Sequence, residues 1–165
     1  MPPVVSFVGW HNSGKTTLTR QVVAQLKAKG YLVAVLKSTK ETGIAVDQPG
    51  TDTALYKKTG ADVVALLAPD QLIIQRKPTQ MGLFALSQFL FPEVDIVIAE
   101  GFKQAPQVPK IEVRRDPEAL FICLSVPGVI AIASDLPASG LKQFGLDQYS
   151  EIADYIETEF LTNSK

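Results

Sequence analysis

An apolar stretch, Val4 to Val8, broken only by Ser6, runs directly into Gly9-Trp10-His11-Asn12-Ser13-Gly14-Lys15-Thr16. This match to G-x-x-x-x-G-K-[ST] constrains the fold more than any other part of the chain. Glycines five residues apart permit backbone conformations closed to residues with a side chain, so that successive N–H groups can converge on one anion. Such a loop belongs between a buried strand and the N-terminus of a helix, whose dipole adds positive potential. Both flanks comply. A run apolar at nearly every position suits a strand covered on both faces in a parallel sheet. After Lys15, the repeat Leu18, Val22, Leu26 gives a helix one apolar stripe, and Gly30 suits the left-handed residue just past its end. Tyr31–Lys37 then reads as a second buried strand. Strand, phosphate-type loop, helix and strand open a doubly wound α/β fold of the P-loop NTPase class, a mostly parallel sheet flanked by helices.

Downstream, the polar, Gly/Pro-punctuated stretch from Ser38 to Gly50 predicts a long functional loop. A short helix follows over Asp52 to Thr59, started by Thr51 or Asp52 as a cap and closed by Gly60. Apolar runs on either side of Pro69-Asp70 predict an additional β-hairpin. Thr79 is placed to cap a helix carrying Leu83, Leu86 and Leu90. Val94–Gly101 is the next buried strand, "PKIEVRR" a short one, and Val129–Ala133 the last core strand. Ile152, Ile156 and Phe160 give a C-terminal helix its apolar stripe. With 165 residues, 46% of them hydrophobic, and no linker or repeat, the chain reads as one domain, 1–165. A net charge of −1 provides no field to draw it onto nucleic acid or an anionic membrane. No segment approaches the ~18 apolar residues of a membrane span, and the N-terminus has the pattern of a strand rather than of a leader. The single cysteine, Cys123, excludes an internal disulfide and a Cys-based zinc site, and its apolar neighbours predict a buried structural thiol. These features fit a cytoplasmic protein.

The chemistry-bearing candidates cluster on strand ends. Lys15 suits the β- and γ-phosphates of a nucleotide, and the Thr16 hydroxyl suits Mg²⁺. Turnover further requires a carboxylate to support the metal and a group to orient water. Glu100 directly follows a buried run and is followed by Gly101, which places it at the carboxyl edge of the sheet, where α/β proteins hold ligands. A surface Glu at a strand end is the plainer alternative. Asp47, in the polar loop after the second strand, is the second candidate for metal or water contact. Asp135, just past the last core strand, has the chemistry to accept N1–H and N2–H₂ of guanine, or to cap the next turn. His11 occupies a free position of the loop, where a bystander role near the phosphates or at a subunit contact is simpler than a catalytic one. The residues alone leave open a small-molecule kinase, an ATP-dependent ligase, and a docking module whose nucleotide is structural.

Four segments together, "GWHNSGKTTL", "DQPGTDT" with the following "TGAD", "DIVIAEGFK" and "PKIEVRR", resemble the MobB family of molybdopterin-guanine dinucleotide biosynthesis adapter proteins. The resemblance runs from Val4 to about Asp135. It implies a homodimer that binds GTP with Mg²⁺, hydrolyses it slowly and associates with molybdopterin guanylyltransferase and other proteins of the molybdenum-cofactor pathway. By motif it places phosphate contacts on Gly9, His11, Asn12, Ser13, Gly14, Lys15, Thr16 and Thr17, and acidic positions on Asp47 and Glu100. It also matches basic positions at Lys103 and Lys110, for which a solvated lysine or a partner contact is the plain alternative. The chain departs from the family after its second strand, where Lys37-Ser38-Thr39-Lys40 stand in place of histidines.

Overall fold

β1 (Val4–Val8) is buried at every residue, because it runs through the middle of a parallel sheet. In the computed structural model, which describes residues 1–78, 80–137 and 140–162, that sheet has six strands in the order β2-β5-β1-β6-β7-β8. The other strands are β2 (Val33–Lys37), β5 (Ile96–Glu100), β6 (Lys110–Val113), β7 (Val129–Ala133) and β8 (Lys142–Phe144). Every pairing in it is parallel. The chain divides into two compact units, residues 1–39 with 81–165, which hold this sheet, and residues 40–80.

Alternation along the strands decides what each face buries. Val5, Phe7, Ile96, Ile98, Ile111 and Val113 point to one face, where α1 (Lys15–Ala28) covers them with Leu18, Val22 and Leu26. The C-terminal helix α4 (Tyr149–Ile156) adds Ile152 and Ile156 to the same cluster. Val4, Val97 and Ala99 point to the other face and meet Leu83 of α3 (Leu83–Leu90). Helices thus lie on both sides of a parallel sheet, as the opening βαβ unit predicts. A fully buried residue of this size contributes about 1.5–3 kcal/mol, so the α1/α4 face carries most of the apolar stabilisation. The stripe of α1 and the left-handed Gly30 (φ 92°) are as expected.

Several elements differ from the sequence reading. β2 is an edge strand with one free flank, and Val35 on it is 50% exposed, so it is not a doubly covered strand. The short strand expected in "PKIEVRR" is present as Lys110–Val113, but it is interior and buried throughout, although it contains Lys110 and Glu112. β7 is not the last strand, since β8 extends the sheet beyond it. In α3 only Leu83 and Ser87 are buried, while Leu90 is exposed. Gly82 holds the N-cap position of that helix, and the predicted cap Thr79 lies outside the described residues.

Within residues 40–80, Thr51 caps α2 (Asp52–Lys58), its side chain accepting from the Ala54 N–H. β3 (Val63–Leu67) and β4 (Leu72–Arg76) pair antiparallel with Leu67 opposite Leu72, forming the predicted hairpin. No described helix is long and apolar enough to cross a membrane.

Candidate functional site

The loop from Gly9 to Gly14 leaves β1 at the centre of the sheet, where the connection through α1 leads to one side and β6 lies on the other. Gly9 is dictated by space. A Cβ there would meet Ser13 Oγ and lie 2.5 Å from the Val113 carbonyl oxygen. Asn12 (φ 59°) and Gly14 (φ 86°) take left-handed conformations that curl the loop into the start of α1. No side chain caps that helix, so its leading N–H groups are available to an anion. His11, Asn12, Thr16 and Thr17 are exposed, whereas Gly9 and Ser13 are buried.

Strand register brings the charged groups together. Glu100, the last residue of β5, lies beside Phe7 of β1 and Lys37 of β2. Its carboxylate is nearly buried, and its Oε1 accepts from Thr16 Oγ1 at 2.8 Å and pairs with Lys37 Nζ at 3.2 Å. Lys15 Nζ donates to the Trp10 carbonyl at 2.6 Å and to Ser13 Oγ at 3.4 Å. Burial lowers the Lys15 pKa, Glu100 opposes the shift, and the neighbouring charges of Lys103 and Lys37 add to it. Lys103 also lies over the Trp10 ring, 4.4 Å from its centroid. Lys15, Lys37 and Lys103 thus bring positive potential to this edge of the sheet, which suits an anionic ligand.

The donor set fits a magnesium ion. Adjacent ligands of an octahedral Mg²⁺ at 2.0–2.1 Å stand about 3 Å apart, close to the 2.8 Å between Thr16 Oγ1 and Glu100 Oε1. Among the described residues no group of three His, Cys, Asp or Glu side chains could hold a metal alone. Mg²⁺ usually takes one or two protein oxygens and completes its shell with phosphate and water.

Asp47 and Asp135, also expected in the site, hydrogen-bond within their own segments. Asp47 belongs to the unit of residues 40–80, where its Oδ2 accepts from Gln75 Nε2. Asp135 is exposed beyond β7, and its Oδ1 accepts from the Leu146 N–H at 2.8 Å, which ties down the start of the next turn. His11 lines a cleft of about 130 Å³ with Asn12, Ser13, Arg115 and Asp116.

Arg115 escaped the sequence reading. Its guanidinium lies 3.3 Å from the position of a Cβ on Gly14, so it flanks the loop; only its place in the quoted "PKIEVRR" segment pointed to it. Arg114, by contrast, is buried and donates to the carbonyls of Pro117 and Ala119. Lys110 is neither solvated nor available to a partner, because its buried ammonium donates to the carbonyls of Ala105, Val108 and Pro127. Cys123 is partly exposed rather than buried, and burial together with nearby Glu112 raises its thiol pKa, which disfavours the reactive thiolate.

A glycine loop at the head of a helix, on the carboxyl edge of an all-parallel sheet, defines a protein of the P-loop fold. The family model "Molybdopterin guanine dinucleotide synthesis protein B" (MobB) matches residues 4–135, and the chain belongs to that family. It is 30% identical over 159 residues to the molybdopterin-guanine dinucleotide biosynthesis adapter protein of Haemophilus influenzae, covering 94% of this chain and 88% of that one. It is 36% identical over 133 residues to the probable adapter protein of Bacillus subtilis, covering 79% and 75%. A crystal structure of molybdopterin-guanine biosynthesis protein B superposes with a TM-score of 0.75 at 27% identity, over 94% of this chain and 97% of that one.

Proposed function

We propose that this chain is a GTP-binding adapter in molybdopterin guanine dinucleotide biosynthesis, with slow GTPase activity. The Thr16–Glu100 hydrogen bond carries this reading, because it sets a hydroxyl and a carboxylate side by side at the head of α1, next to Lys15. The adapter role rests on family membership and on the names of the relatives.

In this proposal the loop from Gly9 to Thr17 and Lys15 hold the β- and γ-phosphates. Thr16 and Glu100 would hold Mg²⁺. The bound ion would neutralise charge on the phosphate oxygens. Glu100 orients the attacking water. Asp135 reads the guanine edge, since its carboxylate has acceptor positions beyond the one the Leu146 N–H takes on Oδ1. Turnover is slow, because an arginine aimed at the transferred phosphoryl group is worth ~10³ or more, whereas Arg115 packs beside Gly14. The chain acts in the cytoplasm as a homodimer and docks on the guanylyltransferase that attaches GMP to molybdopterin. The dimer finds support in the hairpin, where Leu67 and Leu72 are 80% and 59% exposed; an isolated two-stranded sheet is marginal by itself.

Calorimetric titration with GTP and ATP in Mg²⁺ tests the site. Lys15→Ala is expected to weaken GTP binding by about tenfold or more, the scale of a lost charge-assisted contact, with an unchanged circular dichroism spectrum. Unaltered GTP affinity would contradict the assignment. ATP-specific phosphoryl transfer to a metabolite would replace the adapter with a kinase or ligase.

A further inference from the structure

We propose that the Lys37 ammonium holds the divalent-cation position of the phosphate site, so that Lys37 and Mg²⁺ compete for Glu100 and a nucleotide can bind without metal. The inference rests on the nucleotide-binding reading above and goes further, to the regulation of that site by metal.

Lys37 Nζ is 3.2 Å from Glu100 Oε1 and 3.5 Å from Thr16 Oγ1. Those two oxygens, 2.8 Å apart, are the pair that fits Mg²⁺. A single side chain thus contacts both atoms a metal would need. Two cations sharing one carboxylate oxygen at such range repel strongly, and the repulsion grows as water is excluded. Metal entry therefore requires the ammonium to leave.

The side chain is built to leave. Lys37 ends the edge strand β2, and its side chain is 57% exposed, against 10% for Glu100. The carboxylate is held in place by its strand, whereas the lysine head sits on a flexible stem open to solvent. Before metal enters, Lys37 keeps a nearly buried carboxylate paired, which removes the penalty of an isolated charge. Together with Lys15 and Lys103 it supplies positive charge to a polyphosphate.

The experiment uses the full chain and a fluorescent GTP analogue, titrated in EDTA and in Mg²⁺, for the wild type, Lys37→Met and Lys37→Arg. The wild type is expected to bind in EDTA within about tenfold of its Mg²⁺ affinity, and Lys37→Met to lose about tenfold or more in EDTA, the scale of one charge-assisted phosphate contact. In the same variant the Mg²⁺ concentration at half effect should fall, because Glu100 has lost its competitor. Lys37→Arg keeps the charge and should retain metal-free binding. Lys37→Met weakening both conditions equally, or neither, would overturn the proposal. A wild type that binds no nucleotide in either condition would overturn the nucleotide-binding reading and this proposal with it, a pattern distinct from a changed ratio. Melting curves of the variants establish that they fold, and Lys37→Gln replaces Lys37→Met if the apolar side chain causes aggregation.

Discussion

Space at single atoms, rather than charge, governs the loop. Between Gly9 and the end of β6 there is no room for a methyl group, since a Cβ would press on a main-chain carbonyl that is itself fixed in the sheet. Gly9→Ala is therefore expected to destabilise the fold by about 1–3 kcal/mol, the usual cost of overpacking a filled site, read as a lowered midpoint in urea. A midpoint equal to that of the wild type would show that the loop and β6 can separate. Charge matters more at the other end of the molecule. Glu157 accepts from Lys29 and from Tyr31 Oη, and these bonds, the one from Lys29 first, hold its carboxyl pKa below the ordinary carboxylate value. A depressed native value means stability present above the unfolded pKa of about 4.3 and lost as pH falls through the native value. Comparison of Glu157→Gln with the wild type should accordingly show a gap in stability near neutrality that closes below about pH 4. High salt should shrink the gap as well, because the group is partly exposed. A gap independent of pH would assign it to packing.

At the level of elements, β6 shows how charged residues enter a core. Glu112 is fully buried, and its two carboxylate oxygens accept from the N–H groups of Ile122 and Cys123 at 2.8 and 2.9 Å. The short turn at Ile122–Leu124 is thereby tied to the strand, and Ile122 is held against Val8 and Val126. Glu112→Ala would leave both donors unmet in the interior. Each unmet donor costs about 1–3 kcal/mol, so a loss of roughly 2–6 kcal/mol in denaturant stability is expected. Hydrogen exchange at Ile122 and Cys123 should accelerate in the same variant. Unchanged exchange there would mean that the turn is held by its apolar contacts alone.

On the scale of the whole molecule, the exposed leucines of the hairpin bear on assembly. If a second copy covers them, the 17.9 kDa chain should sediment as a dimer, and Leu67→Asp should shift it to the monomer without unfolding the sheet. Monomeric wild-type protein would remove that part of the proposal. Much of the molecule was legible beforehand. β1, α1, α2, the hairpin, β5, β7 and the parallel arrangement follow from local periodicity and turn residues, because burial on one face or on two leaves its mark within a few neighbours. β8 left no such mark, since Lys142, Gln143 and Phe144 contain one apolar side chain and join the sheet through main-chain bonds such as Ser134 N–H to the Phe144 carbonyl. The half-exposed state of β2 was equally hidden, because edge and centre are properties of the sheet and not of the strand.

The sequence by itself determined the βαβ opening, the loop that must follow β1, and the family to which these segments belong, because each is written in neighbouring residues. Only the tertiary structure decided which groups share the site. Thr16 and Glu100 are 84 positions apart, and Lys37 reaches them from a third element through the register of β2 on β5. It likewise made Lys110 and Glu112 interior residues, their charged heads satisfied by main-chain groups of other segments. Periodicity reports how deeply a segment is buried but not what it is buried against, and the chemistry of a charged group depends on the latter.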